Sequence, residues 1–257
     1  VNGGLPLLDL GLLLGAGLVA GYVNAVAGAG SLLTLPALIF TGLDPVSANA
    51  TNRVAVLFQT GAAVTGVRRA GHRFGRAAWL LTIPATVGGV LGAAVAGRAS
   101  QDAIRLSIAL AMPVFLVLGL IRPGRRGEAP SRPLSATPAL GVAFFGFGVY
   151  AGYLQAGVGV LVLLVLGGLY RVDLVEANGA KLLSVGTLTV AALGTFLAQG
   201  VVIDPIRGAT LALATTLGGY AGATASVRRG SGFIRLVLTV VVLVSAVKLA
   251  VDATRSP

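Results

Sequence analysis

Cysteine is absent from the 257 residues and histidine occurs once, at His72. Disulfides, thiol chemistry and thiolate metal sites are therefore excluded, and one histidine in a basic stretch supplies neither a metal cluster nor a Ser-His-Asp set. Charge is scarce too, at 11% of residues against 56% hydrophobic. No carboxylate falls inside an apolar core, which argues against paired-carboxylate catalysis and against a cation carrier built on buried negative charge. The Gly-x-Gly pairs lack a third glycine and an acidic ribose ligand, so they are not a dinucleotide fingerprint. No enzyme activity, cofactor or metal is expected.

What remains is apolar. A mean hydropathy of +0.92 describes a chain whose outside is as apolar as its inside, which lipid tolerates and water does not. The sequence reads as an all-α, multi-pass protein of the cell membrane, with the bilayer as its solvent. A formal charge of +11 could point to nucleic acid, but the Arg and Lys lie in short clusters between apolar runs rather than on one face. They are topology signals, and no nucleic-acid partner is expected. The first apolar run has no basic flank and no distinct cleavage site, so it reads as a membrane segment.

The chain is also written twice. Gly15, Gly17, Gly21, Tyr22 and Asn24 recur 131 residues later as Gly146, Gly148, Gly152, Tyr153 and Gln155. At an offset of 129, Gly28 and Gly30 map to Gly157 and Gly159, Asp44 to Asp173, and Asn49 to Asn178. At 130, Gly88, Gly89 and Gly92 map to Gly218, Gly219 and Gly222, and Arg105 to Arg235. The scarce Tyr, Asn, Asp and Arg matches carry the weight. The organisation is a first repeat over 1–122, a cytoplasmic linker over 123–137 and a second repeat over 138–257.

Each repeat has five apolar segments, at roughly 6–27, 31–42, 46–67, 77–97 and 103–121, then 136–156, 159–169, 174–198, 206–226 and 233–251. A crossing needs about 20 residues, and the second segment of each repeat has roughly half of that. Segments one and two are therefore expected to form a broken or re-entrant hairpin turning at Gly28–Gly30 and at Gly157–Gly159. Non-helical backbone at that depth requires protein or a water-filled cavity around it. Arg68, Arg69, Arg73 and Arg76, the linker with Arg122, Arg125, Arg126 and Arg132, and Arg228, Arg229 and Arg235 share one side if the segments alternate. That side is expected to be cytoplasmic and both termini extracytoplasmic. An odd number of crossings per repeat inverts the second relative to the first, the architecture of alternating-access carriers.

Asn49, Asn52 and Arg53 in the first repeat, and Asn178 and Lys181 in the second, place an amide and a cation near an apolar stretch in each copy. A cation at a helix centre costs about 2.5–3.5 kcal/mol, so it faces a cavity, a partner or a ligand. Two readings stand: both cations snorkel to the interface, pairing with Asp44, Asp173 or Glu176, or both converge on a central anion. Gly28, Gly30, Gly157 and Gly159 open short helices whose free N–H groups and positive dipole ends form an anion site, or they only allow close packing. Ser31, Asn24 and Gln155 would add polar contacts.

The run Gly21-Tyr22-Val23-Asn24, Gly28-Ala29-Gly30-Ser31 and Pro36, then Gly42-Leu43-Asp44-Pro45 and Ala48-Asn49-Ala50-Thr51-Asn52, resembles the TauE/SafE family of sulfite and sulfonate transporters. Gly71 with Phe74, and Gly200 with Ile203-Asp204, resemble that family's loop after its third segment. The chain departs from the pattern at Ala29 and lacks the acidic-aromatic pair after Gly71. The resemblance covers essentially the whole chain and implies proton-driven movement of sulfite or a short organosulfonate such as sulfoacetate. The expectation is a secondary transporter of a small anion, with Asp44, Asp173 and Glu176 as candidates for proton coupling. A passive anion channel, a carrier of another small anion or metabolite, and a non-transporting scaffold are the alternatives, and monomer and homodimer stay open. The matched cations predict that Arg53→Ala abolishes transport while leaving the protein folded, as measured by vesicle uptake beside size-exclusion chromatography.

Overall fold

The computed structural model describes residues 5–120 and 131–255. Arg122, Arg125 and Arg126 of the expected linker lie outside the described residues, as does the side chain of Arg235. Nine helices carry the described chain: α1 (Leu7–Ala27), α2 (Ser31–Phe40), α3 (Pro45–Arg69), α4 (Arg76–Ala96), α5 (Gln101–Leu120), α6 (Pro138–Tyr153), α7 (Val158–Leu163), α8 (Leu174–Ala198) and α9 (Pro205–Arg255). Among the described residues there is no strand, only an isolated bridge between Arg132 and Val172. Three helices, α1, α4 and α8, are long and apolar enough to cross a membrane by length and composition. Outward-facing leucines such as Leu8, Leu213 and Leu217 give the bundle the apolar exterior that lipid requires.

Local chemistry sets the element ends. Asp44 caps α3 by accepting from the Ser47 N–H at 2.9 Å, with Pro45 at the first helical position. Asp173 caps α8 and Thr137 caps α6 in the same way. The first repeat's long helix stops because Gly28 turns left-handed (φ 76°), its N–H donating to the Asn24 carbonyl at 2.9 Å. In the second repeat the break is wider: Gln155 (φ 60°) and Gly157 (φ 71°) are both left-handed. The returning helices are short, as expected, at 10 residues for α2 and 6 for α7. A π-helical stretch, Leu164–Leu169, extends α7, with the Tyr170 N–H reaching back to the Val165 carbonyl. α9 holds the last two segments of the second repeat, broken at Gly230 (φ 70°).

Loop contacts sort the connections onto two ends. At one end Gln101 accepts from the Val46 N–H, Arg207 donates to the Thr41 carbonyl, and Gln199 donates to the Ala94 carbonyl. At the other, the Arg132 N–H donates to Arg171, Ser231 donates to Asp173, and His72 lies over Gly179. Arg68, Arg69, Arg73, Arg76, Arg132, Arg171, Arg228 and Arg229 belong to this second, basic end.

The helices pack crosswise between repeats. α1 lies along the first arm of α9, and α4 along α6, so the same two segments meet in both combinations. Glycine permits both. A Cβ on Gly88, Gly92, Gly148 or Gly152 would strike the backbone of the facing helix across α4 and α6, and Gly21, Gly218 and Gly222 repeat this across α1 and α9. Gly146, on the same helix as Gly148, has nothing within 4 Å. Gly148→Ala should therefore destabilise the detergent-solubilised protein by about 1–3 kcal/mol. Gly146→Ala should be neutral or gain up to about 1 kcal/mol of helix propensity. Thermal unfolding of the pair checks the crossing.

Candidate functional site

The two hairpin turns meet at the centre of the bundle. Gly28 and Gly159 touch backbone to backbone, with no space for a Cβ on either. Neither short helix has a side-chain cap; the N-cap residues are Gly30 and Gly157. Around this contact lie two small hollows, each of about 10 Å³, room for about one water molecule. Asn24, Gly28, Ser31, Gln155, Gly159 and Lys181 share the first. Asn24, Gly30, Ser31 and Asn52 share the second.

Lys181 is 2% exposed, and its Nζ donates to the Asn24 carbonyl at 2.9 Å and the Ala25 carbonyl at 3.2 Å. Both carbonyls lie in the last turn of α1, the broken helix of the other repeat. Arg53 does the reciprocal job: wholly buried, its Nη2 donates to the Gly152 carbonyl near the end of α6, and its guanidinium stacks 4.8 Å from the Phe196 ring centre. Asn49 adds a 2.7 Å bond to the Tyr153 carbonyl. Neither cation snorkels and neither has a carboxylate within salt-bridge distance; the ion pairs among the described residues are Arg105–Asp102 and Arg207–Asp204.

Arg53 lines neither hollow. At the repeat offset of 129 its equivalent is Leu182, whereas Lys181 is equivalent to Asn52. One residue is about 100° of helix rotation, so the two cations leave their helices in different directions. Asn52 takes the inward position in the first repeat, accepting from Thr34 Oγ1 at 2.7 Å and donating to Ser31 Oγ at 3.4 Å. Asn178 points away and donates to Ser226 Oγ, and Gly157 packs on the Phe115 ring.

Several polar residues at this centre are absent from the sequence-based candidates. Asn24 donates to Gln59 at 2.6 Å and Gln155 to Thr189 at 2.5 Å, while Thr60 lines the Lys181 hollow. Thr60 and Thr189 are repeat equivalents at the same offset of 129, so the duplication held the signal. The buried Thr60 Oγ1, Gln155 Oε1, and Arg53 Nε and Nη1 make no hydrogen bond within the protein. Such groups are costly in a dry interior unless a ligand or water meets them.

The three candidate proton carriers lie at the bundle ends. Asp44 and Asp173 are helix caps, and Glu176 accepts from the Leu134 N–H at 3.3 Å. For Asp44 partial burial raises the pKa, but hydrogen bonds from Ser47, Gln101 and Val46 outweigh it, and the net value lies below the ordinary 3.8. Asp44 is thus ionised at neutral pH.

The family model described as "Sulfite exporter TauE/SafE" matches residues 13–249. A probable membrane transporter protein, ORF9, from Sinorhizobium sp is 28% identical over 95% of this chain and 94% of its own length. The probable membrane transporter protein YfcA of Escherichia coli K12 is 29% identical over 96% of this chain and 91% of its own. A probable membrane transporter protein from Haemophilus influenzae is 26% identical over 95% of each. No solved structure matches. The chain belongs to the TauE/SafE family, and it is a membrane transporter, not an enzyme.

A lowered carboxylate pKa stabilises the folded state fully above 3.8 and is lost as pH falls through the folded value. Asp44→Asn should therefore lower the unfolding midpoint at neutral pH, with the difference from the parent shrinking once pH drops below 3.8. A pH series of melting curves in detergent measures it.

Proposed function

We propose that the chain is a secondary active transporter of a small anion, sulfite or a short organosulfonate such as sulfoacetate, working by alternating access between two inverted repeats (1–122 and 138–257). The observation that carries this is Lys181. Its ammonium sits beside the contact of the two hairpin turns, held by neutral carbonyls, with unbonded Thr60 and Gln155 oxygens on the same hollow. A buried cation without a counter-charge is costly, and an arriving anion supplies that charge. Ser31, Asn24 and Asn52 would orient it, and the turn N–H groups would add donors. Arg53, a hydrogen bond away on the α6 end, would set the field of the site and hold the second turn in place.

Several observations favour alternating access. The first hairpin runs from the end that holds Thr41 and Gln199, and the second from the basic end, so each turn reaches the centre from its own side. The centre is closed by the Gly28–Gly159 contact, and a sulfite-sized ion fits only if the hairpins part. Basic residues gather at one end, which is assigned to the cytoplasm and leaves both termini extracytoplasmic. The proton gradient is the proposed driving force. Of the three carboxylates proposed for coupling, Asp173 and Glu176 lie at the basic end and Asp44 at the other, and Asp44, held ionised by its capping bonds, is the least suited to carry a proton.

Labelled sulfite and sulfoacetate should accumulate in proteoliposomes of the purified protein under an imposed pH gradient. Flux that ignores the gradient and follows concentration alone would identify a passive channel. Lys181→Ala should reduce uptake roughly tenfold or more, as expected for the loss of a charge-assisted bond of about 1.5–3 kcal/mol. Wild-type uptake by that variant would remove Lys181 from the site.

A further inference from the structure

A further hollow lies away from the proposed transport centre, at the basic end. It is an open hollow of about 600 Å³ between the residues that lead into α6 and the loop that leads into α8. Arg132 and Arg171 both line it, are both exposed, and are tied by a 2.9 Å bond from the Arg132 N–H to the Arg171 carbonyl. Among the described residues no acidic side chain lines it. The nearby carboxylates are engaged elsewhere, Asp173 with the Val175 N–H and Ser231 Oγ, and Glu176 with the Leu134 N–H.

Arg171 is left-handed (φ 57°), a conformation that disfavours any residue with a Cβ. The repeat provides an internal comparison. At the offset of 129 its equivalent is Gly42, also left-handed (φ 93°), in the matching turn of the first repeat. Glycine satisfies that turn in one copy, while the other copy holds an arginine there against the backbone preference. Packing does not account for it, because the side chain is exposed. Its charge and its fork of donors do, if something negative is held opposite.

The remaining wall describes that ligand. Thr137, the N-cap of α6, brings the positive end of a 16-residue helix to the hollow, and Tyr170 adds a phenol. Leu169, 75% exposed on the hollow's rim, offers an apolar surface toward lipid. Two guanidiniums beside a helix N-terminus suit a phosphate group, and the adjoining apolar face suits acyl chains. We propose that this hollow binds the phosphate of an anionic phospholipid headgroup, holding the α6 and α8 entrances to the leaflet. The proposal stands independently of which small molecule is carried.

The test uses the purified, delipidated full chain, with lipid binding followed by native mass spectrometry and thermal unfolding. Phosphatidylglycerol should bind roughly tenfold or more tightly than phosphatidylcholine, as expected for about 1 kcal/mol per arginine near an anionic headgroup. That preference should collapse in Arg132→Gln/Arg171→Gly, which gives the second turn the glycine of the first. Arg132→Gln alone, on an exposed side chain, should lose part of it and serves if the double variant fails to fold. Equal binding of the two lipids, or a preference that survives both changes, would overturn the proposal. Inorganic phosphate that matches the lipid's effect and depends on the same arginines would overturn the lipid source, reassigning the hollow to a free anion.

Discussion

A helix that stops inside a membrane leaves carbonyls without partners, and lipid supplies none. In this fold that constraint is met by exchange between the halves. Lys181 of the second repeat donates to the Ala25 carbonyl and shares the Asn24 carbonyl with the Gly28 N–H in the last turn of α1, and Arg53 and Asn49 of the first donate to the Gly152 and Tyr153 carbonyls that end α6. Each broken helix is therefore completed by the other repeat.

The glycine crossings join the halves a second time. Here α1 presses closely against α9, and α6 against α4. Gly88, Gly92, Gly148 and Gly152 on one side, and Gly21, Gly218 and Gly222 on the other, remove the side chains that would prevent it. The centre between them is closed: two turns touch at Gly28 and Gly159, with hollows the size of a water molecule and several polar atoms left unbonded. In the proposed cycle an arriving anion would separate the turns and give the Thr60 hydroxyl and the Lys181 charge their partner. Binding and opening would thus be one event, the coupling that a carrier requires.

Much of this was legible in the sequence, because duplication marks which rare polar residues share a role. Gly28 and Gly157 both turn left-handed, Asp44 and Asp173 both cap, and the short second segment of each copy returns as a hairpin arm. The phase of the cations was not legible by residue type. Arg53 and Lys181 look paired, yet they differ by one position in the repeat, and a helix turns that single step into different directions. Following the offset strictly, with Asn52 opposite Lys181 and Thr60 opposite Thr189, finds the inward face. The 600 Å³ hollow was illegible for another reason: it arises from Arg132 and Arg171, one beside the linker and one in a turn, which no periodicity connects.

The account's central claim is that the anion enters between the two turns, from one side of the membrane at a time. The absence of cysteine makes this directly measurable, since Ser31→Cys would carry the chain's lone thiol at the shared wall of both hollows. In right-side-out and inverted vesicles, a membrane-impermeant thiol reagent should label that cysteine from one side only. The reactive side should change with the direction of the substrate gradient, and saturating substrate should protect it. Labelling from both sides at once, or labelling that substrate never slows, would contradict the claim.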